Sequence, residues 1–278
     1  MPICCIDRLA HTFLADVSSD PRPSENLTMA VLPILRDASA YSFFFDFDGT
    51  LTEIAETPGA VVVEERARKA LETLLEKASG AVAIVTGREI DSIDRFLAPL
   101  KLPVAGVHGY ERRNGGKQTV SATAADESAA RAVEKVLTSF VSHNPGLLLE
   151  RKRGAIALHY RLRPELEAFC LSLVEDLAGR FQDVVLTRGK MVVEMRLHMA
   201  TKGTAINDFL QEKPFKGRIP FFAGDDVTDE DAFAAVNALD GITVKVGPGE
   251  TAARDRAGSV DEFLTWLLAT AQRSKELG

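Results

Sequence analysis

Short apolar runs, each closed by a polar turn, alternate along much of the chain with stretches in which apolar residues recur every three or four positions. The runs are Phe43–Phe47, Ala81–Val85, Pro103–Val107, Ile219–Ala223 and Ile242–Val246. Runs so short and so apolar read as strands buried on both faces. The periodic stretches predict helices over Glu64–Ala78, Glu89–Leu97, Lys202–Leu210 and Thr228–Val236; the first carries Ala67, Ala70, Leu71, Leu74 and Leu75 on one side. Such alternation predicts a parallel sheet whose loops gather at the carboxyl edge, where open α/β sheets hold ligands. Gly247-Pro-Gly249 breaks the rhythm before closing helices that carry Phe263, Leu264, Trp266, Leu267 and Leu268.

Between about residues 112 and 198 the pattern changes to helix–hairpin–helix–hairpin. One helix carries Val133, Val136, Leu137 and Phe140; the other carries Leu166, Phe169, Cys170, Leu173 and Leu177. The closing strands are weak copies, Arg153-Gly-Ala-Ile-Ala-Leu-His-Tyr-Arg161 and Arg188-Gly-Lys-Met-Val-Val-Glu-Met-Arg196. This pseudo-repeat predicts a four-stranded antiparallel sheet with two helices on one face. Two-residue Arg-Gly turns would pair Lys152 with Ala155, Glu150 with Ala157 and Leu148 with His159. Glu150, Lys152, His159 and Arg161 then share one face, while Leu147, Leu149, Ile156, Leu158 and Tyr160 share the other. In the second hairpin Glu194 and Arg196 would share a face with Thr187 and Lys190. The expected layout is therefore a tail at 1–40, disordered, a core of 41–111 and 199–278, and an inserted α+β unit at 112–198. Hinges are expected near 111–115 and 197–201.

With 278 residues, 46% hydrophobic and 26% charged, the chain is an ordinary globular protein able to bury a sizeable core. A net charge of -7 argues against nucleic acid or an anionic membrane as partner, though local cations can still hold an anionic substrate. No apolar run approaches membrane-spanning length, and the first 28 residues lack the pattern of a signal peptide. Cys4, Cys5 and Cys170 suggest no disulfide framework, which suits a cytoplasmic protein.

Chemistry concentrates at strand ends. Asp46 interrupts the Phe run, and Asp48-Gly49-Thr50 closes it. A carboxylate in an apolar wall needs a strong partner such as a metal cation. Thr86-Gly87-Arg88 could hold a phosphate at a helix start, or Thr86 could simply cap that helix. Lys202 could neutralise a phosphate oxygen, or could be a solvated lysine. Asp225 and Asp226 precede a helix and suit Mg²⁺, which takes one or two carboxylates and keeps waters. Asp229, Glu230 and Asp231 have a sufficient explanation as partners of the helix dipole.

Asp46-Phe-Asp-Gly-Thr-Leu51 resembles the first motif of the haloacid dehalogenase superfamily of phosphohydrolases, and Thr86, Lys202 and Asp225-Asp226 resemble the later three. His108-Gly-Tyr-Glu111, Gly224-Asp-Asp-Val-Thr-Asp-Glu230 and the Glu150-x-Lys152 pair narrow the resemblance to trehalose-6-phosphate phosphatases, over nearly everything after residue 40. Thr86 stands where that family shows Ser, so the hydroxyl is kept. The resemblance implies a Rossmann-like parallel-sheet core with an inserted α+β cap of order αββαββ. It implies Asp46 as nucleophile, Asp48 as general acid/base, and Thr86 and Lys202 as phosphoryl holders. Mg²⁺ would rest on Asp46, the Asp48 carbonyl, Asp225 and Asp226. Substrate would be met by Gly87, Arg88, His108, Glu111, Glu150, Lys152, His159 and Glu194. A monomer acting on a small-molecule sugar phosphate is the expected form. The alternatives are another sugar phosphate (sucrose phosphate, a mannosylglycerate phosphate), a phosphomutase, or a non-catalytic sugar-phosphate sensor.

Overall fold

The computed structural model describes residues 32–55, 57, 59–120, 124–181, 184–189, 191–196 and 200–273. The chain opens with β1 (Tyr41–Phe45), α1 (Glu65–Lys77), β2 (Val82–Val85), α2 (Ile90–Leu97) and β3 (Val104–Gly106). A hairpin of β4 (Glu111–Asn114) and β5 (Lys117–Val120) follows. Then come α3 (Ala124–His143), β6 (Leu148–Lys152), β7 (Ala155–His159), α4 (Glu167–Ala178), β8 (Val185–Gly189) and β9 (Val192–Arg196). The chain closes with α5 (Lys202–Leu210), β10 (Ile219–Gly224), α6 (Glu230–Asn237), β11 (Ile242–Val246), β12 (Asp255–Ala257) and α7 (Val260–Gln272).

The large sheet has the order β12-β11-β10-β1-β2-β3-β4-β5, parallel from β12 to β3. The Phe run is central because it has apolar partners on both faces. Phe43 and Phe45 meet Phe221, and Phe45 also meets Phe263, while Phe44 meets Phe209 and Phe215 on the other side. Burying each such ring contributes about 1.5–3 kcal/mol. That pins the strand whose end carries Asp46.

The boundaries expected at both ends of the core shift. Residues 32–40 are not a loose tail: Leu32 and Leu35 join the core, and Trp266 Nε1 donates to the Pro33 carbonyl at 3.0 Å. The tail expected over residues 1–31 lies outside the described residues. β4 and β5 extend the large sheet antiparallel, so 112–120 belongs with the core and the 111–115 stretch is sheet, not hinge. Charge pairing holds this polar hairpin down. Arg113 grips Asp94 at 2.6–2.7 Å, and Arg112 grips Glu212 at 2.9–3.0 Å. The other expected hinge, 197–201, is described only from residue 200.

Residues 124–196 build a second sheet, β6-β7-β9-β8, with its own apolar core against α3 and α4. The first hairpin has the expected register, Lys152 to Ala155, Glu150 to Ala157 and Leu148 to His159. The second turns later: Arg188 and Gly189 remain in β8, and Gly189 pairs with Val192. Because the slip is even, Thr187, Glu194 and Arg196 keep a common face. The apolar stripe of the helices is wider than the face they bury. Phe169 stays exposed and stacks on Phe140, with ring centroids 5.2 Å apart. Among the described residues no helix is long and apolar enough to cross a membrane.

Candidate active site

β1 delivers Asp46 to the carboxyl edge of the sheet, where its N–H donates to the Ala223 carbonyl. The chain leaves through Gly49, whose φ is +77°. A Cβ there would stand 2.1 Å from an Asp225 oxygen, so glycine is what lets Asp225 lean over the turn. Asp46 is 4% exposed, and its partner is Lys202 Nζ at 2.8 Å. The same ammonium donates to Asp229 Oδ1 at 2.7 Å. Lys202 is itself 3% exposed, which rules out a solvated surface lysine.

Asp229 is the residue that sequence reasoning passed over. It is fully buried, and its Oδ2 accepts from the backbone N–H groups of Asp225 and Asp226 at 3.1 and 3.0 Å. Asp226, expected to hold metal, is exposed; it lines the cleft beside Asp225 and also caps the following turn by accepting from Val227 N. The signal for Asp229 was its spacing, four residues after Asp225 and one turn into the next helical segment.

Asp46, Asp225 and Asp229 can bring one carboxylate oxygen each within 4.8 Å of one another. Burial pushes the Asp46 carboxyl up to about 6, against the pull of Lys202. Burial and then Asp229 push Asp225 up to about 6; burial and then Asp46 push Asp229 up to about 7. Burial would lower Lys202, but Asp46 and Asp229 together hold it well above the ordinary ammonium range. One ammonium thus serves three carboxylates, leaving an excess of buried negative charge. An all-oxygen donor set with surplus negative charge fits a hard divalent cation. Asp46 and Asp225 line the cleft, whereas Asp229 lies beneath it with its oxygens already committed.

The cleft has a volume of about 460 Å³ and is also lined by Asp48, Thr86, Gly87, Arg88, His108 and Lys202. The structure therefore brings these expected residues together. Arg88 forks onto Asp48, Nε to Oδ2 at 2.6 Å and Nη2 to Oδ1 at 2.7 Å. Its guanidinium also lies over the Phe96 and Phe47 rings, at 5.0 and 5.8 Å. Thr86 is not the cap of α2; its Oγ1 accepts from Arg88 N at 3.1 Å. The N–H of Ile90, at the start of α2, goes to Glu111 Oε1 at 2.6 Å.

Glu111 does not reach the cleft. It is fully buried, with its second oxygen accepting from Arg153 Nη1 at 2.7 Å. Its expected contact with substrate gives way to these two bonds. Glu150, His159 and Glu194 stand on the second sheet and do not line the cleft. Glu150, Ala157, Glu194 and Thr187 form one row across its four strands, and His159 Nε2 lies 2.9 Å from Glu150 Oε2. Lys152 pairs with Ala155 in the same sheet; its side chain lies outside the described part.

The trehalose-phosphatase family profile matches residues 44–262, which span the cleft and both sheets. The chain belongs to the trehalose-phosphatase family. Within it, the trehalose-6-phosphate phosphatase of Escherichia coli (strain K12) is 40% identical over 240 residues, covering 86% of this chain and 90% of its own. A probable trehalose-phosphate phosphatase of Sinorhizobium fredii is 41% identical over 214 residues, 76% of this chain and 80% of its own. The solved trehalose-6-phosphate phosphatase of Aspergillus fumigatus superposes with a TM-score of 0.66 at 28% identity, covering 86% of this chain and 94% of its own. A Bacteroides thetaiotaomicron protein of the haloalkanoate (HAD) superfamily shares the fold, with a TM-score of 0.56 at 16% identity and covering 92% of this chain and 99% of its own. This trehalose-phosphatase family member thus has the expected architecture, a Rossmann-like haloacid dehalogenase core with an inserted α+β unit, and it is a phosphatase.

Proposed function

We propose that the protein hydrolyses trehalose 6-phosphate to trehalose and phosphate in the cytoplasm, with Mg²⁺ as cofactor. The observation that carries the chemistry is a buried carboxylate, Asp46, at the floor of an open cleft with Lys202 beside it. The similarity to the Escherichia coli enzyme supports the choice of sugar.

Asp46 attacks phosphorus as the bond to the sugar 6-oxygen breaks, giving an aspartyl-phosphate. Asp48 gives its proton to the departing sugar oxygen. It then takes a proton from the water that attacks phosphorus, and the bond to Asp46 breaks to release phosphate. Thr86 and Lys202 hold phosphoryl oxygens. Mg²⁺ held by Asp46, Asp225 and the Asp48 carbonyl would offset repulsion between the phosphate and the nucleophile. Asp229 anchors Lys202 and the Asp225 loop from below.

The Arg88 fork gives this scheme a condition. Both Asp48 oxygens accept from the guanidinium, so Asp48 can act on a proton only when the fork opens. An arriving phosphoryl group competes for the same guanidinium, whose planar fork pairs with two phosphate oxygens as readily as with a carboxylate. Substrate binding would then release Asp48 for its task.

Residues 124–196 serve as the cap, closing over the cleft so that the row containing Glu150 and Glu194, with Lys152 and His159, meets sugar hydroxyls. Truncating Glu150 or Glu194 to Ala should remove hydrogen bonds worth about 1.5–3 kcal/mol, and so lower kcat/KM on trehalose 6-phosphate roughly ten- to a hundredfold. Hydrolysis of a small aryl phosphate should barely change, and equal losses on both substrates would defeat the cap assignment.

The reading as a whole is tested by phosphate release from a panel of sugar phosphates with Mg²⁺. Trehalose 6-phosphate should be turned over fastest. An isomeric sugar phosphate without free phosphate would identify a mutase, and a faster rate on sucrose phosphate would move the specificity.

A further inference from the structure

Glu111 is buried in the core, yet one of its two partners comes from the cap. Its Oε1 accepts from Ile90 N at the start of α2, and its Oε2 accepts from Arg153 Nη1 at 2.7 Å. Arg153 belongs to the β6–β7 turn, the tip of the hairpin that bears Glu150 and His159. Two further contacts seat the same tip on the core. Arg153 Nη2 lies 3.5 Å from Asp91 Oδ2. Gly154, with φ of +68°, passes so close to Tyr110 that a Cβ would stand 2.5 Å from the ring.

We infer that Arg153 is a specificity-determining residue, which sets the position of the cap's first hairpin over the cleft by clamping its tip to Glu111. The clamp ties the hairpin to the segment that also supplies His108 to the cleft. A buried carboxylate with one N–H and one guanidinium holds that guanidinium firmly, because losing it would leave an unpaired buried charge. Glu150 lies only three residues from Arg153 on an extended strand, about 10 Å away. A pivot at the tip therefore governs where Glu150 and Lys152 come to rest when the cap closes. Arg153 itself does not line the cleft and touches none of the phosphoryl-holding residues. The Asp46 centre is built wholly from residues of the core, at the ends of β1 and β10, the start of α5 and the turn before α6, so its chemistry does not depend on the clamp.

The inference rests on reading residues 124–196 as a cap that recognises trehalose 6-phosphate. The test compares wild type, Arg153→Ala, Arg153→Lys and Gly154→Ala on trehalose 6-phosphate and on p-nitrophenyl phosphate, with kcat and KM resolved separately. Arg153→Ala should lower kcat/KM on trehalose 6-phosphate about ten- to a hundredfold, the cost of a misplaced contact surface. Its p-nitrophenyl phosphate hydrolysis should stay within about twofold of wild type. Arg153→Lys keeps a cation against Glu111 and should recover part of the loss. Gly154→Ala leaves Glu111 and Arg153 intact but forces the tip away from Tyr110, so it should give the same substrate-dependent loss even where Arg153→Ala folds poorly. Parallel losses on both substrates, or no loss on either, would overturn the inference while leaving wild-type preference for trehalose 6-phosphate untouched. A wild type that does not prefer trehalose 6-phosphate over other sugar phosphates would overturn the underlying reading and the inference together.

Discussion

Asp46→Asn should abolish turnover, by on the order of 10⁴- to 10⁶-fold, while leaving a protein at least as resistant to urea as wild type in the presence of chelator. The two outcomes have one cause. The carboxylate sits 4% exposed among Asp225, Asp229 and Lys202, where burial already opposes its charge. A buried ion repaid by only a share of one ammonium is a poor stabiliser. An amide of the same shape removes repulsion with two neighbouring carboxylates and leaves Lys202 bonded to Asp229 at 2.7 Å. The same amide has no anionic oxygen with which to attack phosphorus. Function and stability thus pull in opposite directions at this position, as they do where a site is strained for its chemistry. Turnover near wild type in a clean preparation would remove Asp46 as nucleophile. A fall in stability would mean that its charge is balanced by something other than Lys202.

The catalytic edge was legible because its signal is local. A short apolar run must be a buried strand, and acids at its end must stand at the carboxyl edge of the sheet. That reasoning set Asp46, Asp48 and Asp225 at the carboxyl edge, the family resemblance added Thr86 and Lys202, and all five line one cleft. The cap face was legible for a similar reason. Side chains alternate strictly along a strand, so parity survives even a wrong turn, and Glu194 kept its face although the second hairpin slipped.

What escaped was decided by distant partners. β4 and β5 read Glu-Arg-Arg-Asn and Lys-Gln-Thr-Val, with no apolar alternation to mark them; only Gly115-Gly116 between them hinted at a hairpin. They hold through Asp94 and Glu212, charges that come from elsewhere in the chain. β12 is three residues at an edge, too short to show a period. Glu111 carries a motif that resembles a ligand contact, and its real partner lies 42 residues later, in the cap. Asp229 was hidden by a sufficient local reason, since an acid in a helix's first turn needs no other explanation. Its fuller role appears only once Lys202, 27 residues earlier, is seen to reach it.

Lys202→Met should be inactive for a different reason, and unstable. The side chain keeps most of the volume but loses the only ammonium within reach of Asp46 and Asp229 among the described residues. Removing one partner from a buried ionic cluster typically costs about 3–5 kcal/mol, because the remaining charges stay buried without compensation. Urea unfolding in chelator should therefore show a midpoint well below wild type. Adding Mg²⁺ should recover more stability in this variant than in wild type, since a cation bound at Asp46 and Asp225 would relieve the same surplus charge. The combination Lys202→Met with Asp229→Asn separates the two effects. It removes the cation together with one of the anions it balances, so the double variant should regain much of the lost stability, and the two changes should be far from additive. It should nonetheless remain inactive, because the phosphoryl group still lacks its ammonium. A Lys202→Met protein as stable as wild type, or a double variant that loses the sum of both single losses, would show that this ammonium is not what holds the acid cluster together.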